Sequence, residues 1–179
     1  MIRVSREPFP QFVLPTGYSF TWFPPGCEAW WIEIQSRADP HATITHDTFQ
    51  KYFWDAPEEI PRRQCFLLAP DGQPIGTATA WFNNNYHSEV WGRLHWVAIL
   101  PEFQGCGLAK PLLSVVCARL RELHPERAFL RTAAHRLQAI AMYLKFGFVP
   151  EIKTDEEEEG WARILRLIRP SRPQRADGG

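Results

Sequence analysis

An apolar run, a glycine-containing segment and a second apolar stripe follow one another in residues 93–123, and this order constrains the fold more than any other stretch. Residues 93–100 predict a buried central strand because they form a nearly continuous apolar run. Gly105 and Gly107 then allow the backbone to turn tightly. Apolar residues at helical spacing from Leu108 onward predict a helix. The chain therefore places a strand, a loop and a helix start in succession.

This loop is a candidate phosphate site. A helix start presents unpaired N–H groups and the positive end of the helix dipole, and glycines let an anion approach the backbone closely. A Walker loop is excluded because Lys110 is followed by Pro111 rather than by Ser or Thr at the required spacing. A dinucleotide fingerprint also fails, since the position that needs a third glycine holds Lys110.

The remaining pattern predicts one α/β domain over residues 18–168, preceded by an irregular arm at 1–17 and followed by a disordered tail at 169–179. Strands are predicted at 18–23, 65–69, 74–82, 128–132 and 161–168, and helices at 27–38, from Thr45, from Leu108 and at 137–144. Turns are predicted at 70–73 and 83–85, and a charged loop at 155–160. Gly147 is expected to adopt a left-handed conformation after the last predicted helix.

Composition excludes several classes of protein. Lys and Arg total 20, as do Asp and Glu, so no bulk attraction to nucleic acid or to an anionic membrane is expected. The four cysteines are widely scattered, which favours free thiols over a metal site. No apolar run reaches the roughly 18 residues that a membrane span needs. We expect a cytoplasmic protein without a metal, and a homodimer stays open.

Two motifs carry a family resemblance. Gln104, Gly107 and Ala109 match the pattern Q/R-x-x-G-x-G/A, and residues 101–103 before them are similar to a V-x-P-x-[FY] approach. Residues 139–148 then match A-[IL]-x-[LM]-Y-x-x-x-GF. With these motifs in this order on a predicted loop and helix, the chain resembles the GNAT superfamily of N-acetyltransferases. The resemblance extends over about residues 66–167.

The resemblance implies an α/β fold with a mixed six- or seven-stranded sheet and helices on both faces. Two central parallel strands, at 93–100 and 128–132, would part in a V-shaped split that accepts the pantetheine arm of acetyl-CoA, the cosubstrate. Backbone groups around Val97 and Ile99 would pair with that arm. The remaining cofactor-binding residues that it implies are Phe103, Gln104, Gly105, Cys106, Gly107, Leu108, Ala109, Lys110 and Arg136.

The resemblance also implies two catalytic residues. His95 interrupts the apolar strand and titrates near neutrality, so it is the preferred base, with Glu89 or a chain of water molecules as alternatives. Tyr143 matches the family tyrosine whose hydroxyl donates to the CoA sulfur. Each has a plainer interpretation, namely a hydrogen-bonded core histidine and a tyrosine packed on the sheet. His135 is a candidate for the lining of the acceptor pocket.

Other residues leave alternatives open. Arg136 stands where the family often has Asn, and it either reaches a CoA phosphate or is a solvated residue at a helix start. Lys110 is a phosphate ligand or a surface lysine, and the side chain of Cys106 is a tolerated spacer or a reactive thiol. Aromatic residues of the first two helices and the acidic run 155–159 either hold a cationic amine or are core and solvated loop.

The function that follows is transfer of an acetyl group from acetyl-CoA to a primary amine by direct attack in a ternary complex. The amine belongs to a small molecule, a peptide or a protein, and the sequence does not distinguish between them. A CoA-binding regulatory or sensor module is the alternative. The presence of both His95 and Tyr143 favours the enzyme.

Overall fold

The computed structural model describes residues 1–168. Its strands are β1 (Ile2–Val4), β2 (Ser19–Trp22), β3 (Gln64–Leu68), β4 (Pro74–Tyr86), β5 (Glu89–Ile99) and β6 (Arg127–Phe129). Its helices are α1 (Glu28–Ala38), α2 (His46–Phe53), α3 (Ile60–Arg63), α4 (Ala109–Leu123), α5 (Leu137–Lys145) and α6 (Asp155–Ile168). Short 3₁₀ turns occupy Pro57–Glu59 and Pro101–Phe103. The predicted tail lies outside the described residues.

The strands form one mixed sheet in the order β1-β6-β5-β4-β3-β2. Only β5 and β6 run parallel, and every other pair of neighbours is antiparallel. Helix α4 makes the crossover between the two parallel strands, which a parallel connection requires. The predicted α/β domain with a six- or seven-stranded mixed sheet is confirmed.

The parallel strands part soon after they meet. Their pairing is limited to Gly92 with Ala128 and Arg93 with Phe129, although β5 continues to Ile99. On its other edge β6 pairs with β1, and the amide of Leu130, just after β6, donates to Met1 O over 2.9 Å. The facing edge of β5 therefore has no strand partner beyond Arg93, which confirms the predicted V-shaped split.

Helices cover both faces of the sheet. On β4, Trp81 packs against Phe53 of α2 and its neighbour Phe82 packs against His124 at the end of α4, with ring centroids 5.1 and 6.1 Å apart. Successive side chains of a strand point to opposite faces, so α2 and α4 lie on opposite sides. The apolar stripe of α4 is fully buried against the sheet at Leu112, Val116 and Leu120. None of the helices in the described residues is long and apolar enough to cross a membrane.

The local signals for α2 and α5 are confirmed. Thr45 caps α2, because its side-chain oxygen accepts a hydrogen bond from the Thr48 amide. The Thr48 side-chain oxygen accepts one from the Thr45 amide, which completes a capping box. Gly147 follows α5 with a φ of +80°, and the amides of Gly147 and Phe148 donate to Leu144 O and Tyr143 O. This Schellman arrangement ends the helix and fixes the last turn, in which Tyr143 lies.

The charged loop at 155–160 and the strand at 161–168 are wrong predictions, because these residues form α6. Thr154 Oγ accepts a hydrogen bond from the Glu157 amide, and the Glu157 side chain accepts one from the Lys153 amide. This is a variant of the T-x-x-E capping pattern. The acidic residues occupy the first turn, where they complement the helix dipole, and the apolar residues after Gly160 recur at helical spacing.

Two further predictions require correction. Residues 2–4 of the supposedly irregular arm form β1, which pairs antiparallel with β6 and also bridges Val149 through Ile2. The turn predicted at 83–85 lies inside β4, and the chain reverses instead at His87 and Ser88. Both residues have positive φ, 53° and 61°, as the two central residues of a type I′ hairpin require.

Candidate active site

A cavity of about 1220 Å³ opens where β5 and β6 part. Its walls are the edge of β5, the loop after it, the start of α4, the loop and helix after β6, and the ends of α1 and α2. The cavity brings together the split between the strands, the glycine loop, His95 and Tyr143. The predicted cofactor-binding residues that line it are Val97, Ile99, Phe103, Gln104, Gly105, Gly107, Leu108, Ala109, Lys110 and Arg136.

The glycine loop is shaped by backbone geometry. Gly105 and Gly107 both have a φ of +78°, which a residue with a Cβ adopts only with strain. The Gln104 side chain donates to Ile99 O over 2.9 Å and ties the loop to the end of β5. The Gln104 side chain therefore anchors the loop rather than pointing to a ligand, a role that the sequence does not reveal.

The free amides of this loop begin only after Phe103 and Gln104, the first two residues predicted to bind the cofactor there. The amides of Phe103 and Gln104 donate to Leu100 O and Pro101 O within the 3₁₀ turn, so they are not available to a ligand. The amides of residues 105–108 make no hydrogen bond with the rest of the described chain. Helix α4 then begins without a side-chain cap and without an acidic residue in its first turn. The available donors are thus the loop amides and the helix start.

The strand β5 carries a bulge at the cavity. Thr77 pairs with Ala98 and Thr79 pairs with His95, so Trp96 and Val97 together face Ala78. Trp96 has a φ of +49°, and its carbonyl accepts a 2.8 Å hydrogen bond from Gln35 Nε2 on α1. A side chain from another element therefore holds the irregular backbone in place.

His95 lines the cavity beside the bulge. Its Nε2 is buried and has no hydrogen-bond partner within residues 1–168. Burial lowers the pKa of His95 well below its usual value, and the nearby charges of Arg93 and Arg131 lower it further. The imidazole is therefore neutral at physiological pH and packs edge-on against the ring of Tyr52, at a centroid distance of 5.6 Å.

Tyr143 lines the cavity from α5 and is only 8% exposed. Burial raises the pKa of Tyr143 to about 12, so the phenol stays protonated and can donate a hydrogen bond at physiological pH. Its ring packs edge-on against Phe148, just after the Schellman turn. The hydroxyl makes no hydrogen bond with the described residues.

Arg136, Lys110 and Cys106 are also predicted to bind the cofactor, and each lies in a different environment. The Arg136 guanidinium donates to Asp39 Oδ2 over 2.6 Å, which links the start of α5 to the end of α1 across the cavity. Lys110 Nζ lies 5.3 Å from the centroid of the Phe12 ring. The side chain of Cys106 is exposed and does not line the cavity.

The alternative base and the acidic run lie elsewhere. Glu89 begins β5, forms an ion pair with Arg127 and is not part of the cavity wall. The acidic residues 155–159 are exposed on α6 and are also outside the cavity, so a cation-binding role for them is not supported. Of the aromatic residues considered for the acceptor pocket, Trp31 and Phe53 are core, whereas Tyr52 lines the cavity.

The sequence analysis missed Arg93, Arg131, Gln35 and the unusual backbone of Trp96. Arg93 precedes His95 by two residues, so alternation along the strand places both on the same face of β5. The sequence alone therefore contained the signal that Arg93 lies beside His95. The other features have no comparable local signal, because Gln35 and Arg131 reach the cavity from separate elements.

Two parallel strands that part beside a glycine loop and an uncapped helix start define an α/β protein with a cleft whose free backbone groups suit an extended ligand with a phosphate group. The chain belongs to the acetyltransferase (GNAT) family, whose model matches residues 27–148. The family resemblance predicted from the two motifs is confirmed.

The chain is also similar to known proteins. Mycothiol acetyltransferases of Streptomyces griseus and Streptomyces coelicolor are each 29% identical to it, over 76% and 83% of this chain. These matches cover 44% and 50% of the relatives, so the chain spans about half of their length. A GCN5-related N-acetyltransferase from Sphaerobacter thermophilus has the same fold, with a TM-score of 0.65 and 20% identity over 82% of this chain and 45% of that one.

Proposed function

We propose that the protein transfers an acetyl group from acetyl-CoA to a primary amine, by direct attack of the amine in a ternary complex. One observation carries the proposal: a single cavity joins the unpaired edge of β5 to the glycine loop and the uncapped start of α4. An extended donor with an amide-containing arm and a pyrophosphate has complementary groups for both ends of this cavity.

The donor site follows from the free backbone groups. The β5 edge beyond Arg93, including Val97 and Ile99, offers N–H and C=O groups that the amides of the pantetheine arm can satisfy. The amides of residues 105–108 and the first turn of α4 offer donors to the pyrophosphate. Lys110 and Arg136 stay candidates for the more distant phosphate.

His95 is the proposed base. An amine with a pKa near 10.4 must lose its proton before it attacks, which costs roughly 4–5 kcal/mol at neutral pH. The neutral imidazole has an unpaired Nε2 that can accept this proton directly or through a water molecule. Because the imidazole is only weakly basic in the empty cavity, the charges that surround it when the acceptor is bound decide how well it works.

Tyr143 is the proposed acid. The new bond joins the amine nitrogen to the acetyl carbon, and the carbon–sulfur bond breaks, so the sulfur leaves with the electron pair. A protonated phenol in the cavity donates a hydrogen bond to that sulfur and supplies the proton if transfer is completed. Burial keeps this phenol protonated, since it raises the pKa of Tyr143 to about 12.

The first prediction tests both residues by thiol release from acetyl-CoA against a panel of primary amines. We expect Tyr143→Phe to lower kcat by about 10²–10⁴-fold, the usual contribution of a positioned acid. Its dissociation constant for CoA should change little, because the hydroxyl is not a predicted donor to the phosphates. His95→Ala should lower kcat/KM and remove the decline of kcat/KM at acidic pH, where the imidazole of the free enzyme becomes protonated.

Ser88→Ala is the control, since this residue lies in the hairpin turn outside the cavity. A Tyr143→Phe variant with full activity would contradict the assigned role of the phenol. Tight binding of CoA without turnover on any amine would overturn the proposed function and favour a CoA-binding regulatory module.

A further inference from the structure

The cavity has a strong excess of positive charge. Its lining includes five arginine or lysine side chains but only one carboxylate, that of Asp39. Asp39 is already paired with Arg136. Lys110, Lys145 and Arg136 lie on the α4 and α5 side, where the donor phosphates are proposed to bind. The remaining cations are Arg93 and Arg131, at the opposite end of the split.

The Arg93 side chain packs against an aromatic ring, but its positive charge is not paired with any group in the described residues. Its guanidinium lies 5.6 Å from the centroid of the Phe129 ring, and the same ring stacks on Tyr86 at 3.9 Å. Neither a carboxylate nor a carbonyl among residues 1–168 accepts a hydrogen bond from Arg93, and its Nε is buried. A buried guanidinium nitrogen without an acceptor is costly, so the site is incomplete without a ligand.

Arg131 completes the cluster from the other strand of the split. It follows β6 directly, lines the cavity and forms no ion pair with the described residues. It is close enough to Arg93 that its charge lowers the pKa of that guanidinium, after the larger effect of burial. Glu151 and Arg131 both lie close enough to Tyr86 to affect its pKa, but Glu151 is already bound by Tyr86, His87 and Lys153.

Arg93 is too far from the loop to serve the donor phosphates. It lies six positions before Ile99 on β5, which at a rise of about 3.3 Å per residue, reduced at the bulge, corresponds to roughly 17–20 Å. The glycine loop begins only after Ile99. Arg93 and Arg131 instead flank His95, the proposed base, and so lie where the acceptor amine must approach.

We infer that the acceptor is a small amine that carries its own carboxylate or phosphate, and that Arg93 and Arg131 bind this anionic group beside His95. The inference rests on the proposed function and specifies its substrate class. A planar guanidinium with several donors is suited to bidentate contact with either group. The same cluster disfavours a polyamine, because a second ammonium group would lie against two guanidinium groups.

The anionic group also has a consequence for the base. Burial lowers the pKa of His95, and the charges of Arg93 and Arg131 lower it further, so the imidazole is neutral without a bound acceptor. A bound carboxylate or phosphate offsets their charge, so the pKa of His95 rises when the acceptor binds. The acceptor thus makes the imidazole more basic at the moment when a proton must be taken from the amine.

The experiment compares matched acceptors that differ only in the anionic group. Glycine, β-alanine and γ-aminobutyrate are each tested beside their primary amides, and phosphoethanolamine is tested beside ethanolamine. We expect kcat/KM to be about tenfold or more higher for at least one charged member than for its neutral partner. The carboxylate and phosphate arms show which anion fits. A neutral partner that is used as well as or better than every charged member overturns the inference while the proposed function stands.

The variants Arg93→Gln and Arg131→Gln should each lower the ratio of kcat/KM for the charged acceptor to kcat/KM for its neutral partner by about tenfold or more. Arg163→Gln, a surface change on α6 outside the cavity, should alter neither value. Arg131 is exposed, so its variant keeps the fold if Arg93→Gln does not. Equal loss with both acceptors would overturn the inference.

A binding measurement separates this inference from the proposed function. The melting temperature of the CoA-loaded protein is measured with γ-aminobutyrate and with its amide, for the wild type and Arg131→Gln. Stabilisation by the acid alone, lost in the variant, supports the anion site even if no amine is acetylated. Equal shifts with the acid and the amide overturn the anion site even if thiol release is observed.

Discussion

Trp96 has a positive φ, a backbone conformation that residues with a bulky side chain rarely adopt. A positive φ costs a residue with a Cβ about 1–2 kcal/mol, and here it occurs in the β5 wall of the cavity. The bond from Gln35 to the Trp96 carbonyl and the packing of Trp31 on the Trp96 ring, at 4.9 Å, hold it there. Strain retained at such a position is typical of functional sites.

Two partly buried histidines, His95 and His124, make the stability of the fold depend on pH. Burial is the main cause that lowers the pKa of both His95 and His124, the latter to about 4. His124 is neutral in the fold, where its Nε2 lies 3.3 Å from Arg63 Nη1. Below about pH 6.5 the unfolded chain takes up protons that the folded protein does not, so the free energy of unfolding falls as pH falls.

We therefore expect the urea midpoint to be constant above pH 7 and to decrease between about pH 6.5 and 5. His124→Gln keeps an acceptor for Arg63 but cannot titrate, so its midpoint should decrease less. The glutamates with lowered pKa values, such as Glu59, affect stability only at lower pH. Identical slopes for the wild type and the variant would contradict this assignment.

For single residues, the chemical role of a side chain is more predictable from the sequence than the groups that the side chain contacts. The motifs located Tyr143 and the loop, and the polar interruption of a strand located His95. Cys106 and Gln104 are both predicted to bind the ligand, but the Gln104 side chain anchors the loop and the Cys106 side chain does not line the cavity, so Cys106 offers only its amide. Side-chain direction at a bulge or in a 3₁₀ turn depends on partners from other elements, which spacing along the chain does not contain.

The β4–β5 hairpin is the element whose local sequence agrees least with its geometry. His87 and Ser88 occupy a type I′ turn, in which Asn and Gly are preferred because both central residues need positive φ. His87 has a compensating contact with Glu151, whereas Ser88 makes no side-chain hydrogen bond with the described residues. Ser88 is therefore the weaker of the two positions.

We predict that Ser88→Gly stabilises the protein by about 0.5–1 kcal/mol, because glycine adopts a φ of this sign without steric cost. Urea unfolding measures the change. Ser88→Ala removes the same hydroxyl without freeing the backbone and should give no gain. A loss of stability in the glycine variant would show that the turn is not strained.

Helices and strands with clear periodicity were predicted close to their observed bounds, as for α1, α4 and β5. The errors share a cause. The residues of β1 and of the turn after β4 obtain their conformation from partners distant in sequence, and a strand of three residues is too short to show alternation. For α6 the signal was present in Thr154 and Glu157, but the acidic run suggested a loop.

At the scale of the molecule, the N-terminal segment connects the sheet edge to the helix that begins at the cavity. After β1 the chain crosses α4, where the Phe12 amide donates to Ser114 Oγ over 2.9 Å. Arg3 is buried, donates to Ser5 O and Glu7 O, and lies 4.0 Å from the centroid of the Phe9 ring. The family and the fold class were predictable because two motifs and the strand–helix order agree, whereas this connection has no signature of its own.

The position of β1 also determines when the sheet can be completed. Ile2 pairs with Phe129 and Val149, so β1 meets its partners only after the chain has been made as far as about residue 149. Closing so long a loop carries a large entropic cost, and such distant pairs slow folding. We expect β2 to β5 to form first and β1 to dock last.

Pulsed hydrogen exchange during refolding measures this order. The Leu130 amide, which donates to Met1 O, should become protected later than amides of the β3–β4 ladder. Simultaneous protection would mean that the sheet forms in one step. Because β6 is one side of the split, a newly made chain completes that side of the cavity only when β1 pairs with β6.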